Sequence, residues 1–279
     1  MKLVKRTQID MPSEVYNLHV QQDHNYIVNG AVVSNCHNAK AAALKTLLTS
    51  VFAHVPIRWG LTGTIPKSNY DAQPLFVSLG PVVGKLTTNE LQERGVLAQC
   101  NVNILQLQDH VEYKTYQTEL KNLLENSDRL QSISKIVFNI NKTGNTLVLI
   151  DRVAAGKKLT ELLPGAVFIN GETKLTERKD EYDEVATASD KIIVATYGVA
   201  AVGINIPRIF NLVLIEPGKS FVRVIQSIGR GIRKAQDKDN VEIWDITAAT
   251  KYAKRHLTER KKYYNDAKYP FKIEKVRYQ

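Results

Sequence analysis

The sequence predicts an α/β protein built on a parallel sheet, preceded by a short all-β segment. Two observations carry the first part. From Thr146 onward, short apolar and β-branched runs alternate with helix-length stretches, the pattern of βαβ units with parallel strands. The polar and glycine-containing segments fall just after those runs, where ligands of such sheets bind. A third observation sets the front apart. Before residue 36 the apolar pattern has period two and contains Asn29-Gly30, a strong hairpin signal.

In chain order, Glu14–Val20 alternates like a strand, Gln21–Asn25 reads as a turn, Tyr26–Val28 as a second strand and Ala31–Val33 as a third. This all-β unit, residues 1–35, is too small to fold without a partner. Asn38–Leu48 is rich in alanine and leucine and predicts a helix. Ile57–Leu61 and Asn101–Leu107 read as strands, and Tyr113–Asn139 as one long helix ended by Gly144. The strands of the regular alternation are Thr146–Asp151, Ala166–Ile169, Lys191–Ala195, Phe210–Ile215 and Val241–Asp245. Helices are expected over Ala154–Leu163, Lys174–Ala188 and Ser220–Lys234.

Composition narrows the class. No apolar run approaches the roughly 18 residues a membrane helix needs. The start, Met-Lys-Leu-Val-Lys-Arg, lacks the apolar core of a signal peptide, so a cytoplasmic location with no membrane partner is expected. Cys100 reads as a small buried hydrophobe. The net charge of +10 is concentrated after Ala248, where ten Lys and Arg face three Asp and Glu. Tyr252, Tyr263, Tyr264, Tyr269, Phe271 and Tyr278 are interleaved with them. Cations among aromatic rings suit phosphates and stacked bases, with Lys261 and Lys262 as candidate DNA contacts. A solvated helical face has the same composition.

Two places carry possible chemistry. At Ser34-Asn35-Cys36, the Asn35 amide nitrogen can reach its own carbonyl carbon, close a succinimide and cut the chain after itself. The Cys36 thiol can accept an acyl group from a thioester, and His24 is a candidate general acid or base. An isolated Asn-Cys pair carries no such message; the surrounding blocks supply it. Val15-Tyr-Asn-Leu18, His24-Asn-Tyr26, Asn29-Gly30 and Ser34-Asn35-Cys36 together resemble the C-terminal fragment of a split intein. The segment departs from that family at Asn17, usually Asp, and at Ser34, often His. The resemblance implies splicing in trans with a complementary N-terminal intein half.

The second place is in the alternating region. After the strand ending at Ala195 comes Thr196-Tyr-Gly-Val-Ala-Ala-Val-Gly203-Ile-Asn205-Ile-Pro207, and before the last strand comes Gln226-Ser-Ile-Gly-Arg230-Gly-Ile-Arg233. Arg230 and Arg233 share one helical face, and paired arginines suit bidentate phosphate recognition. Gly218-Lys219-Ser220 is no phosphate loop, because the residue five before Gly218 is Val213, inside a strand.

On these segments, residues 36–279 resemble the carboxyl part of a superfamily 2 DNA helicase of the recombination, repair and fork-remodelling type. Gln226–Arg233 corresponds to motif VI, Thr196–Pro207 to motif V, Thr146–Arg152 to motif IV and Thr62-Gly63-Thr64 to motif III. Cys36-His37 corresponds to the second half of an Asp-Glu-Cys-His motif II. The resemblance implies the tail end of a first RecA-like lobe with linker over 36–112, a second RecA-like lobe over 113–247 and a basic tail over 248–279. It implies ATP between the lobes, with Mg²⁺ held mainly by the complementary half. Arg230 and Arg233 become arginine fingers, and Gly203 and Asn205 lie by the nucleotide. His37, Gln226, Thr62 and Thr64 couple ATP state to lobe closure, and Thr196 contacts the DNA backbone. Two alternatives stay open: a non-catalytic nucleic-acid-binding module acting unspliced, and another superfamily 2 translocase such as a restriction-enzyme motor subunit.

Overall fold

The computed structural model describes residues 25–28, 31–35, 46–51, 53–54, 58–61, 65, 69–109, 111–203, 206, 208–220, 224, 227–229, 231–232, 235 and 237–278. The chain divides into two compact units, Met1–Lys85 and Leu86–Gln279.

In the first unit, β1 (Asn25–Val28) pairs antiparallel with β2 (Ala31–Asn35), with Tyr26 opposite Val33. These are the strands on either side of Asn29-Gly30. β2 also pairs in parallel with β3 (Arg58–Leu61), Val33 opposite Trp59 and Asn35 opposite Leu61. The last strand of the all-β segment read over residues 1–35 thus shares a sheet with a strand beyond the junction. A π-helical turn, Leu47–Val51, overlaps the expected helix 38–48 only at its last two residues, and residues 38–45 are outside the described residues. Helix α1 (Asn69–Leu79) buries Ala72, Leu75 and Ser78, three residues apart along one face.

The second unit opens with α2 (Thr88–Glu93), started by a capping box. The Thr87 hydroxyl accepts from the Glu90 amide at 3.2 Å, and the Thr87 amide donates to the Glu90 carboxylate at 2.6 Å. β4 (Gln99–Leu107) comes next. The stretch read as one helix is two, α3 (Tyr116–Glu125) and α4 (Ser127–Asn141). Asn126 takes an extended ψ of 116° and its side chain accepts from the Arg129 amide at 2.9 Å. An asparagine cap outcompetes helix continuation here. Then come β5 (Thr146–Ile150), α5 (Val153–Glu161), β6 (Val167–Ile169), α6 (Leu175–Thr187), β7 (Ile192–Thr196) and α7 (Tyr197–Gly203). The unit closes with β8 (Asn211–Ile215), β9 (Asn240–Ala248), α8 (Lys251–Asp266) and β10 (Phe271–Val276).

The strands form a seven-stranded sheet in the order β10-β4-β9-β8-β5-β7-β6, parallel at every pairing. Every residue of β5, β7 and β8 is buried, as expected of strands covered on both faces. Along β5, Leu147 and Leu149 enter one core layer while Val148 and Ile150 enter the other. β4 lies between β10 and β9, so Gln99–Leu107 is a strand of this sheet rather than the end of a first lobe. Nor is the segment after Ala248 an appended tail. β10 pairs with β4, and Tyr264, Tyr269 and Leu257 are buried in the core. Part of its aromatic pattern is core filling.

Among the described residues, two guanidinium groups are buried completely. Arg260 on α8 donates from Nε and Nη2 to both oxygens of Asp245 on β9, at 2.8 and 2.9 Å, and from Nη1 to the Gly218 carbonyl at 2.7 Å. Tyr264 Oη donates to the same carboxylate at 2.7 Å. Arg129 on α4 donates to Glu216 at 2.5 Å and to the Leu123 carbonyl at 3.2 Å, with Asp109 beside it at 3.5 Å. Removing one member of a buried pair leaves an uncompensated charge, at about 3–5 kcal/mol. Arg260→Ala should therefore lower unfolding free energy by that order in urea titration. Lys262→Ala, which breaks only the exposed pair with Glu259, should leave it essentially unchanged, because solvent screens such a pair.

Candidate functional site

The carboxyl ends of β7 and β8 launch the two segments singled out in the sequence. Thr196 is the last residue of β7 and is buried. Tyr197 begins α7, and its hydroxyl donates to the Ile215 carbonyl at the end of β8 at 3.1 Å, tying the two strand ends together. Gly203 is the last residue of α7.

After β8 the chain turns sharply. Glu216 has φ 44° and Gly218 φ 72°; both are left-handed, a region glycine tolerates without penalty and glutamate does not. Glu216 is held there by Arg129 and by Thr247, whose hydroxyl donates to it at 3.3 Å. Its carboxyl is pushed above the usual range by burial, against the pull of Arg129 and Arg260. The Gly218 carbonyl is taken by Arg260. Both buried arginines thus converge on one turn.

Beyond it, the described residues Val224, Ser227–Gly229 and Gly231 are helical. Val224, Ile228 and Ile232, four apart, enter the core, and a Cβ on Gly231 would stand 3.2 Å from Leu212. At the far end the buried Lys238 ammonium donates to the Gly231 carbonyl at 2.7 Å and to the Ile209 carbonyl at 2.9 Å, a cation on a helix C-terminus. Gln226, Arg230 and Arg233 are outside the described residues, as are Asn205, His24, Cys36, His37, Thr62 and Thr64. Asn35 is described as the last residue of β2.

A surface groove of about 880 Å³ lies beside the same turn. Pro217–Ser220 forms one wall, α8 another through Tyr252, Arg255, His256, Glu259 and Tyr263, and Tyr116 of α3 a third. The rings are anchored. Tyr252 Oη donates to the Lys114 carbonyl at 2.7 Å and Tyr263 Oη to the Lys219 carbonyl at 3.0 Å. Tyr116 meets His256 edge-on at 4.5 Å. Lys219 and Arg255 are exposed on the rim. Burial, then the charges of Arg260, Lys219 and Arg255, push the His256 imidazole down to about 4. Of the two lysines singled out in the sequence, Lys262 pairs with Glu259 at 2.8 Å and Lys261 is half-buried. The sequence pattern did not single out Tyr116 or His256, and it met Lys219 only in a triplet rejected as a phosphate loop, since only the fold brings these residues beside Tyr252 and Tyr263. Among the described residues, no helix is long and apolar enough to cross a membrane.

Residues 128–235 match the family model of the helicase conserved C-terminal domain. The chain is 26% identical over 239 residues, 82% of its length and 47% of the relative's, to the ATP-dependent DNA helicase uvsW of Enterobacteria phage T4. It is 24% identical over 235 residues to a protein of Sulfolobus islandicus filamentous virus named as a helicase, covering 77% of this chain and 42% of that one. The chain thus spans about half or less of the curated relatives it matches. Among solved structures, T4 UvsW superposes with a TM-score of 0.55 at 22% identity, over 88% of this chain and 53% of that one. Yeast (S. cerevisiae) Dbp5 bound to RNA and ADP BeF3 gives 0.58 at 15%, over 88% and 59%. Residues 128–235 are thus similar to a helicase conserved C-terminal domain, and the seven-stranded parallel sheet has the fold of a RecA-like lobe.

His256 gives this site a measurable pH dependence. Between about 4 and the ordinary 6.5, the folded protein holds the imidazole neutral where the unfolded chain binds a proton. Stability therefore falls as pH drops through that window, by an amount trimmed by solvent screening in an open groove. Urea midpoints measured from pH 7 to pH 4 should show a shallower decline for His256→Gln than for the parent protein.

Proposed function

We propose that this helicase C-terminal domain is the second motor lobe of an ATP-dependent DNA helicase of the recombination and repair type, and that residues 1–35 are an intein fragment removed by splicing in trans. The observation that carries the motor reading is positional. The motif V segment leaves the carboxyl end of β7, and the motif VI segment lies beyond the turn after β8. These are neighbouring exits of one parallel sheet, where such folds bind ligands. Arg230 and Arg233 act as arginine fingers on the triphosphate, with Gly203 and Asn205 beside the nucleotide. Thr196 and Lys261 with Lys262 contact DNA, and His37, Gln226, Thr62 and Thr64 transmit the nucleotide state. ATP, with Mg²⁺ held by carboxylates of the complementary half, supplies the phosphoryl-transfer chemistry.

The splicing reading is supported by the ordered intein blocks in the sequence and by a β1–β2 hairpin whose last residue is Asn35. Asn35 cyclises to release the fragment, Cys36 takes the acyl group and becomes the first residue of the joined segment, and His24 moves the proton. The β2–β3 pairing has to be surrendered for the fragment to leave. That pairing also favours the second reading, a nucleic-acid-binding module that acts unspliced.

Co-expression with a complementary half carrying a phosphate loop, an Asp-Glu pair and an intein start separates the two. Splicing yields a ligated helicase and a released fragment ending at Asn35, and Asn35→Ala abolishes the release. No ligation, or the same products from the variant, contradicts it. In the joined enzyme, Arg233→Ala should reduce ATP turnover by about 10³–10⁵-fold, the usual contribution of an arginine finger, while DNA binding persists. Unchanged turnover removes the finger assignment.

A further inference from the structure

We propose that the groove between Tyr116, the Pro217–Ser220 turn and α8 binds single-stranded nucleic acid, its rings stacking on bases and Lys219 and Arg255 taking phosphates. This deepens the reading of the chain as half of a nucleic-acid motor and rests on it for the class of ligand.

Three features of the groove fit that ligand. Its volume of about 880 Å³ lies within the roughly 300–1,000 Å³ range of ligand-binding clefts. Four rings line it, and they are fixed before any ligand arrives: Tyr252 and Tyr263 by hydroxyl bonds to backbone carbonyls, Tyr116 and His256 by edge-on contact with each other. A further contact, between Tyr116 and Tyr252 at 6.5 Å and 57°, ties α3 to α8 across the groove. Rings already immobilised lose little entropy on stacking, and every base offers a face, so such a surface tolerates sequence. Gly218 contributes by its size: a Cβ there would stand 3.3 Å from Tyr116 Oη, so glycine lets the turn close onto the ring.

Charge gives the third feature. Lys219 and Arg255 reach the rim, and neither makes a salt bridge among the described residues. Glu259, the one carboxylate among the described residues of the lining, is engaged by Lys262. Arg260, Lys219 and Arg255 stand close enough to His256 to add, after burial, to the lowering of its proton affinity, and an entering phosphate would offset that positive charge. Ring faces favour a single strand over a duplex, whose bases are already stacked on one another.

The test is fluorescence-anisotropy titration of the full chain, without nucleotide, with a labelled short oligothymidylate. Lys219→Glu/Arg255→Glu should weaken binding by at least about 10-fold, and Tyr252→Ala by about 10-fold, within the range for loss of one stacked base. Tyr252→Phe, which keeps the ring, should bind within about 2-fold of the parent. Lys272→Glu/Lys275→Glu on the exposed strand β10 makes the same change in net charge and should cost less than the groove pair. Equal losses from the two charge pairs, parent-like binding by Tyr252→Ala, or equal competition by a blunt duplex would overturn the proposal. Because neither ATP nor the complementary half is present, a negative result here leaves the arginine-finger assay intact, and failure of that assay leaves this one readable.

Discussion

Arg129 and Arg260 approach the chain from different helices and meet it at the same place, the turn Glu216–Gly218 after β8. Each is fully buried and each carries a charge the core cannot dissolve on its own. The fold answers with Asp245 for Arg260 and Glu216 for Arg129. Burial works against the charge on Arg260, but Asp245, Tyr264 and Glu216 together outweigh it and raise the guanidinium's proton affinity above its ordinary value. The arrangement adds little net stability relative to an apolar filling, because desolvation of both partners opposes their attraction. Its contribution is placement: a backbone turn with a non-glycine residue at positive φ is held in one conformation by two side chains that have nowhere else to go.

That turn matters because it leads into a helix that inserts Val224, Ile228 and Ile232 into the core and ends on Lys238. The helix is therefore anchored at its start, along its buried face and at its end by independent contacts. A segment proposed to deliver guanidinium groups to a triphosphate needs this. An arginine finger acts through position, and an error near 1 Å far from the chemistry costs orders of magnitude in rate. The same turn forms a wall of the aromatic groove, so one pair of buried cations fixes both the route toward the nucleotide and the surface proposed for the strand.

Much of the second unit was legible from sequence. The β5, β7 and β8 runs are apolar without alternation, which only strands buried on both faces tolerate, and their boundaries fall within a residue or two of the structure. Other features were legible only in part. Asn126 is a cap residue within a stretch whose apolar period runs on either side of it, so the break shows in the side-chain bond rather than in the pattern. The pairing of β4 with β9 and β10, and the burial of Arg260 and Tyr264 within a stretch that reads as a basic tail, depend on long-range pairing that no local period records. The groove was illegible for the same reason: Tyr116 and His256 lie far apart in sequence. In the first unit the hairpin around Asn29-Gly30 was legible, whereas the parallel partner of β2 was not.

The claim that buried arginines set the turn, and the turn sets the helix, is tested most directly by hydrogen exchange in Arg260→Lys, which keeps the charge but loses the planar fork. The amide of Val224, bonded to the Ser220 carbonyl, should exchange faster in the variant, while the amides of β5 keep the protection they have in the parent. Unchanged exchange at Val224, or loss of protection by the same factor in β5, would mean that the helix is placed by something other than the arginine beneath its turn.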